Sequence, residues 1–382
     1  MKEKITISIL GDICPAEGFR KEFDEKRADS IFGDVMPLLQ NSDLAIANLE
    51  AALSKRGAPI KKCGPCLCGK PEDMEVLKKA GIDAVTMANN HILDYGEEAL
   101  LDTFASADQN KIKYFGAGKN AENARKAAFF EIKGWKIGAL GYAEEEFTGA
   151  YQDRSGANLF DPYISFDDIS EAKAECDYLI VLYHGGIEHY AYPSPLLQKK
   201  CRKMVKAGAD LVLCQHSHCI GTREKYGNGE ILYGQGNAVF GKIEGYTEWN
   251  TGLLTTVSLS ADTKTVTYRT FEATENGIRL ASEEENEKRL TELKTESELL
   301  LQPEKIKDKW EEFCRKQQAS YMPMLIGWNR VQNKLNRIFG NRLIKAFYSI
   351  KSQRVTMNLM RCDAHREVVQ TILENNQKKA GH

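Results

Sequence analysis

No stretch of the 382 residues approaches the ~20 consecutive apolar residues that a membrane-spanning helix requires. The strongest apolar run, 178–183, is the size of a strand, so the chain is not expected to cross a bilayer. An ordinary secretory h-region is also missing, because Asp12 interrupts the apolar stretch that follows Lys4, and 5–10 reads as a first strand. Internal repeats and low-complexity tracts are absent, and with 42% apolar and 28% charged residues neither wholesale disorder nor a fibrous protein fits. The ten cysteines lack a disulfide-like spacing, and Cys176, Cys201, Cys214 and Cys219 sit in or beside apolar segments, as free thiols of a reducing compartment do. A cytoplasmic protein is expected, with a peripheral position on the inner face of the membrane as the alternative. Cys63, Cys66 and Cys68 have no fourth ligand at paired spacing, which argues against a zinc or redox site, and Gly116-Ala117-Gly118 reads as a turn rather than a phosphate cradle.

Acidic residues are missing from a long stretch near the C-terminal end. Between Phe313 and Cys362 there is no Asp or Glu but ten Lys and Arg, interleaved with Met322, Trp328, Ile338, Phe339 and Phe347. The net charge of −2 therefore conceals an asymmetry: residues 1–285 carry 33 Lys and Arg against 43 Asp and Glu, and residues 286–382 carry 19 against 11. A length of 382 residues exceeds the ~250–300 at which a single core stops growing, so one catalytic-size domain with an appended part is expected.

From the start to about residue 275, short apolar runs alternate with amphipathic stretches. Strands are expected at 5–10, 44–48, 84–87, 136–141, 178–183 and 211–214, and helices near 31–40, 72–80, 96–110, 165–175 and 195–207. This is the pattern of βαβ units with helices covering a sheet, and 231–271 reads as closing antiparallel strands. Beyond 283 the pattern is helical, with segments at 283–301, 304–319, 326–339, 342–352 and 364–377 punctuated by Pro303, Pro323 and Gly340. The expected domains are 1–282 and a basic helical extension, 283–382. Those basic helices suit a cap on the acidic domain, an anionic membrane surface or an anionic partner; specific nucleic-acid recognition is not indicated. His365 reads as a helix-face residue and His382 as a terminal one.

The chemistry concentrates at strand ends, where open α/β sheets place ligands. Asp12, Asn48-Leu49-Glu50, Asn89-Asn90-His91, His184-Gly185-Gly186 and His216-Ser217-His218 each follow an expected strand. Any one of these could cap a helix or satisfy a turn; five in succession point to a metal centre. Imidazole and carboxylate oxygen suit Zn, Fe or Mn, and a dinuclear site needs a bridging carboxylate with ligands on each side. Asp12, Glu50, Asn90, His184, His216 and His218 supply that set.

These blocks, with Ala88-Asn89-Asn90-His91-Ile92-Leu93-Asp94-Tyr95-Gly96, His184-Gly185-Gly186-Ile187-Glu188-His189 and Tyr233-Gly234-Gln235-Gly236-Asn237-Ala238-Val239-Phe240, closely resemble the CapA family over roughly residues 4–275. That is the capsule or poly-γ-glutamate synthesis branch of the calcineurin-like metallophosphoesterases. The resemblance implies an α/β fold, a four-layer calcineurin-like metallophosphoesterase sandwich followed here by the helical extension. It implies two divalent ions, with Asp12 as the first-motif aspartate, Glu50 in the bridging position, Asn90, His184 and His216 on the second metal, and His218 returning to the first. His91 matches the histidine that protonates or stabilises a leaving oxygen, and Asp94 and Glu188 are candidates to orient ligands or meet substrate.

Two departures from the superfamily pattern stand out. Cys14 replaces the histidine of the first Asp-x-His motif, so the first metal loses a ligand or gains a thiolate. Asn48-Leu49-Glu50 followed by Leu53 replaces Gly-Asp-x-x-Asp, which removes the usual aspartate partner of the catalytic histidine. The expected function is a metal-dependent phosphoesterase-like protein of capsule, poly-γ-glutamate or exopolysaccharide synthesis. The alternative is a non-catalytic accessory or scaffold protein of a surface-polymer complex; a general phosphodiesterase is disfavoured by the altered second motif. Expected partners are an anionic polymer or its precursor and, through the basic helices, membrane-associated synthesis machinery.

Overall fold

The structure, a computed structural model, describes residues 2–16 and 18–381, so His382 lies outside the described residues. It divides into two compact units, Met1–Ile306 and Lys307–His382.

Two sheets form the centre of the first unit. One runs in the order Ile278–Leu280, Lys264–Ala273, Thr251–Leu259, Ile5–Ile13, Leu44–Leu49, Ala84–Thr86, Lys113–Phe115, with Asn237–Val239 added in parallel at the end of Ile5–Ile13. The other runs Arg223–Tyr226, Gly229–Leu232, Leu211–Gln215, Tyr178–His184, Trp135–Ala143, Ala128–Ile132. Ile5–Ile13, Leu44–Leu49 and Ala84–Thr86 pair in parallel, as do Trp135–Ala143, Tyr178–His184 and Leu211–Gln215. The segments after residue 250 close the first sheet with antiparallel strands, as expected.

Alternation explains the layering of Ile5–Ile13 as far as Leu10, and the register shift around Asp12 turns Ile13 to the helix side. Ile5, Ile7 and Ile9 pack with Ile137, Ile180, Leu182 and Leu213 between the two sheets, while Leu10 and Ile13 pack with Phe32, Leu77 and Leu100 under the helices on the far side. Leu179 and Val181 face outward from the second sheet onto Leu197, Cys201 and Met204 of the helix Pro195–Ala207. Helix, sheet, sheet and helix thus make the expected four-layer sandwich. Each fully buried Ile or Leu in these layers contributes about 1.5–3 kcal/mol relative to exposure.

Three expectations are corrected. The helix near 31–40 is broken: Ala28–Phe32 ends at Gly33, whose φ of +47° and close approach to the Ile278 carbonyl suit glycine, and a helix resumes at Met36–Gln40 with Pro37 in its first turn. The helix expected at 342–352 is divided into Leu343–Phe347 and Ile350–Arg361, the second capped by the Ser349 side chain. The units divide at 306/307 rather than 282/283, because the helix Glu283–Glu298 and the turn after it belong to the first unit: Leu293 enters the inter-sheet core, Leu300 and Ile306 join the outer one, and the Arg223 amide donates to Ser297 Oγ at 2.9 Å.

The second unit is helical, with Pro303–Leu325 continuing into it and Arg330–Ile338, Leu343–Phe347, Ile350–Arg361 and Asp363–Gly381 following. His365 lies on the last of these. Among the described residues no helix is long and apolar enough to cross a membrane.

Candidate metal centre

Parallel strands of both sheets end side by side, which brings the five expected loops together. Asp12 pairs in register with Asn48, and His184 with Gln215, the residue before His216. Gly11 allows this convergence, since a β-carbon there would stand 2.4 Å from the Gly236 carbonyl oxygen.

Glu50 occupies the middle. It is fully buried, and neither carboxylate oxygen has a hydrogen-bond partner. Its Oε1 lies 3.5 Å from His184 Nε2 and 4.0 Å from His91 Nε2. Two overlapping groups have ligand atoms within 4.8 Å of one another: Glu50, His184 and His216; and Asp12, Glu50 and His218. Glu50 belongs to both, the arrangement expected of a bridging carboxylate. Burial, with Asp12 beside it, pushes the Glu50 carboxyl up to about 8. An orphaned buried carboxylate among imidazoles fits a cation.

The other side chains are aimed by neighbours the sequence reasoning left unassigned. Asn48 Nδ2 donates to Asp12 Oδ1 at 2.8 Å and lies 3.1 Å from His184 Nδ1, while the His216 amide donates to Asp12 Oδ2 at 3.0 Å. Asn89 donates to Asn48 Oδ1 and the Leu49 carbonyl, which ties the third loop to the second. Asn90 Nδ2 donates to Glu146, so its Oδ1 turns toward His184 Nε2, 3.0 Å away. His218 Nδ1 is 2.8 Å from Asn237 Oδ1, and because Asn237 Nδ2 donates to the Trp249 carbonyl, that oxygen accepts from the imidazole and leaves Nε2 for the site. Asn48, Asn89 and Asn237 all lie inside the quoted sequence blocks; a buried amide next to a ligand was the available signal.

Burial pushes His184 down to about 4 and His216 to about 3, the latter also repelled by His184 and His218. Both are therefore neutral at pH 7, the form that binds metals. His216 Nδ1 is buried without a partner. His216 and His218 have φ of +83° and +51°, left-handed values rare for residues other than glycine.

His91 sits at the edge of this cluster with its Nδ1 2.6 Å from Asp94 Oδ2. The altered second motif therefore does not leave His91 without a carboxylate. Asp94 also accepts from the Leu67 amide at 2.8 Å and from Lys62 Nζ at 2.5 Å. The Lys62 side chain is 2% exposed and donates as well to the Asn90 carbonyl; it lies in the loop with the three cysteines, and nothing in the sequence marked it.

Glu188 is exposed and acts on the cluster through its charge, opposing the downward shift of His216. Cys14 packs with Ala51, Leu67 and Phe240 and is in neither candidate group. Among the described residues Cys63, Cys66 and Cys68 enter no metal-ligating group, and Cys66 and Cys68 point to the carbonyls of Ile60 and Ser54.

Comparison with known proteins gives the family of the chain. The family described as "Bacterial capsule synthesis protein PGA_cap" matches residues 6–242. The chain is 29% identical over 247 residues to "Capsule biosynthesis protein CapA" of Bacillus anthracis, covering 62% of this chain and 60% of that one. It is 30% identical over 240 residues to "PGA biosynthesis protein CapA" of Bacillus subtilis (strain 168), covering 62% and 63%. A "Probable polyglutamine synthesis accessory protein" of Mycobacterium tuberculosis is 27% identical over 223 residues, covering 54% and 59%. The chain spans less than two thirds of the length of these relatives. With the strand-end blocks inside the matched segment, the chain belongs to the bacterial capsule synthesis protein family.

Proposed function

We propose that this protein is a metal-dependent, phosphoesterase-type hydrolase of surface-polymer synthesis, acting on an anionic polymer such as poly-γ-glutamate or an exopolysaccharide, or on its precursor. The observation that carries the proposal is Glu50: a buried carboxylate with no hydrogen-bond partner, shared by two ligand groups. Asp12, Glu50 and His218 would hold one divalent ion, and Glu50, His184, His216 and Asn90 the other. When bound, such a pair supplies an activated water and polarises a phosphoryl or acyl oxygen.

The chain's own residues then do the following. Asn48, Asn237 and Glu146 fix the ligand side chains before substrate arrives. His91, with Nδ1–H donated to Asp94, presents Nε2 toward the cluster and, in its protonated form, gives a proton to the leaving atom, an oxygen of a phosphoester or the nitrogen of a γ-glutamyl amide. Lys62 neutralises Asp94, so the pair carries no net charge under the imidazole. Water is restricted there, since Asp12, Glu50, Asp94 and His184 are almost fully buried.

The accessory reading is favoured by one observation: position 14, where the superfamily pattern has a histidine, is Cys14, which belongs to neither candidate ligand group. Metal content by elemental mass spectrometry, read beside hydrolysis of an aryl phosphodiester and a γ-glutamyl peptide, separates the two. About two ions per chain, lost in Glu50→Ala and His216→Ala, together with turnover abolished by His91→Ala, are expected for the hydrolase. Bound ions without turnover would leave the accessory role; no bound metal after loading with Mn²⁺, Fe²⁺ or Zn²⁺ would sink the catalytic one.

A further inference from the structure

The second unit carries a surface that the metal centre does not explain and that lies outside residues 6–242. In the helix Arg330–Ile338, Val331, Leu335 and Ile338 follow the i, i+4, i+7 row and are exposed, Val331 at 67% and Ile338 at 68%. The orientation is fixed rather than accidental. Asn329 caps the helix in a reciprocal capping box with Gln332, and Asn336, on the other side of the helix, is buried, donating to Asn341 Oδ1 and accepting from the Ile344 amide. Those bonds hold the polar side inward and turn the apolar row out.

Cations accompany the row. Arg330, Lys334 and Arg337 are exposed on the same helix, and Arg342, Lys345, Lys351, Arg354 and Arg361 follow. Between Phe313 and Cys362 the sequence has no carboxylate, and among the described residues no ion pair involves any of these eight. Phe347, 74% exposed, and Ile350 add apolar surface between them.

We propose that this face is an interfacial docking surface for an anionic lipid bilayer. A soluble polyanion would be served by the cations alone and gives no reason for an outward row of Val, Leu and Ile; an acyl–headgroup boundary takes both. An outward apolar row with a cationic margin is also the kind of surface that marks an interaction site. The proposal is independent of the metal-centre reading: docking requires no ion, and metal content reports the centre separately.

The test is co-sedimentation of the full chain with vesicles of phosphatidylcholine alone or with about 30% phosphatidylglycerol, with and without 0.5 M NaCl. Binding is expected to the anionic vesicles, weaker by about tenfold or more on neutral ones and in high salt. Val331→Ser/Leu335→Ser/Ile338→Ser should lose binding at least tenfold, as should Arg330→Glu/Lys334→Glu/Arg337→Glu, with circular dichroism and metal content kept as in the wild type. No binding to anionic vesicles overturns the proposal. So does binding that the serine variant retains and soluble poly-L-glutamate displaces, which would assign the face to a polyanion.

Discussion

His91 Nδ1 and Asp94 Oδ2 lie 2.6 Å apart within one backbone turn, closed by the Asp94 amide donating to the His91 carbonyl. The pair restores by local geometry what the altered second motif takes away. His91→Ala should lower kcat by about 10²–10⁴-fold while metal content stays at the wild-type value, because His91 is in neither ligand group. A variant that loses its ions along with turnover would instead make His91 part of the ligand shell.

Lys62 is the only cation hydrogen-bonded to Asp94 among the described residues, and both side chains are buried. Lys62→Met should therefore leave the buried Asp94 with only His91 and the Leu67 amide as partners and cost about 3–5 kcal/mol in urea unfolding. Lys62→Met/Asp94→Asn should recover part of that loss. Wild-type stability in the single variant would show that His91 and the Leu67 amide suffice for Asp94.

Glu50 predicts an unusual response to pH in the chelated protein. Its folded pKa of about 8 is raised above the ordinary carboxyl value. Its contribution to stability is thus fully present below about pH 4.5 and is lost as pH rises through 8. Glu50→Gln should be close to wild type at pH 5 and more stable by a few kcal/mol at pH 9, both with chelator present. Metal should reverse the order. Equal stabilities at pH 9 would mean that the buried carboxylate is already compensated.

His184 and His216 titrate in the opposite sense. Their folded values, about 4 and about 3, are depressed, so their contribution is present above about pH 6.5 and is lost as pH falls through 4 and 3. At pH 7 both are already neutral, whereas Glu50 holds its proton. Metal binding at that pH should release about one proton, taken from Glu50. Calorimetry in two buffers of different ionisation enthalpy measures this number; two or more released protons would show that the imidazoles are charged in the metal-free protein.

The strand ends were legible because parallel strands buried on both faces appear as continuous apolar runs, and the polar residue that follows each run stands out. The same reasoning missed Ala128–Ile132 and Arg223–Tyr226, edge strands whose Glu131, Arg223 and Lys225 interrupt the apolar pattern. The six expected ligands come together as a cluster, whereas Glu188 lies exposed at its margin. What stayed hidden depends on long loops. Lys62 reaches Asp94 across 32 positions from a segment without periodicity, and the orientation of Asn237 is set by the Trp249 carbonyl. The boundary at 306 was invisible because Leu293, Leu300 and Ile306 look like the buried face of any helix until their partners are known.

The left-handed backbone at His216 and His218 sets thermostability against chemistry. Such conformations cost about 1–3 kcal/mol each for a residue with a side chain, and glycine removes most of that cost. Because both imidazoles are also buried, and His218 bonds Asn237, a glycine at 216 or 218 would trade that backbone cost against lost packing and against a ligand of the proposed centre. Engineering this protein for durability while keeping the proposed metal centre therefore requires that metal content be measured alongside melting temperature.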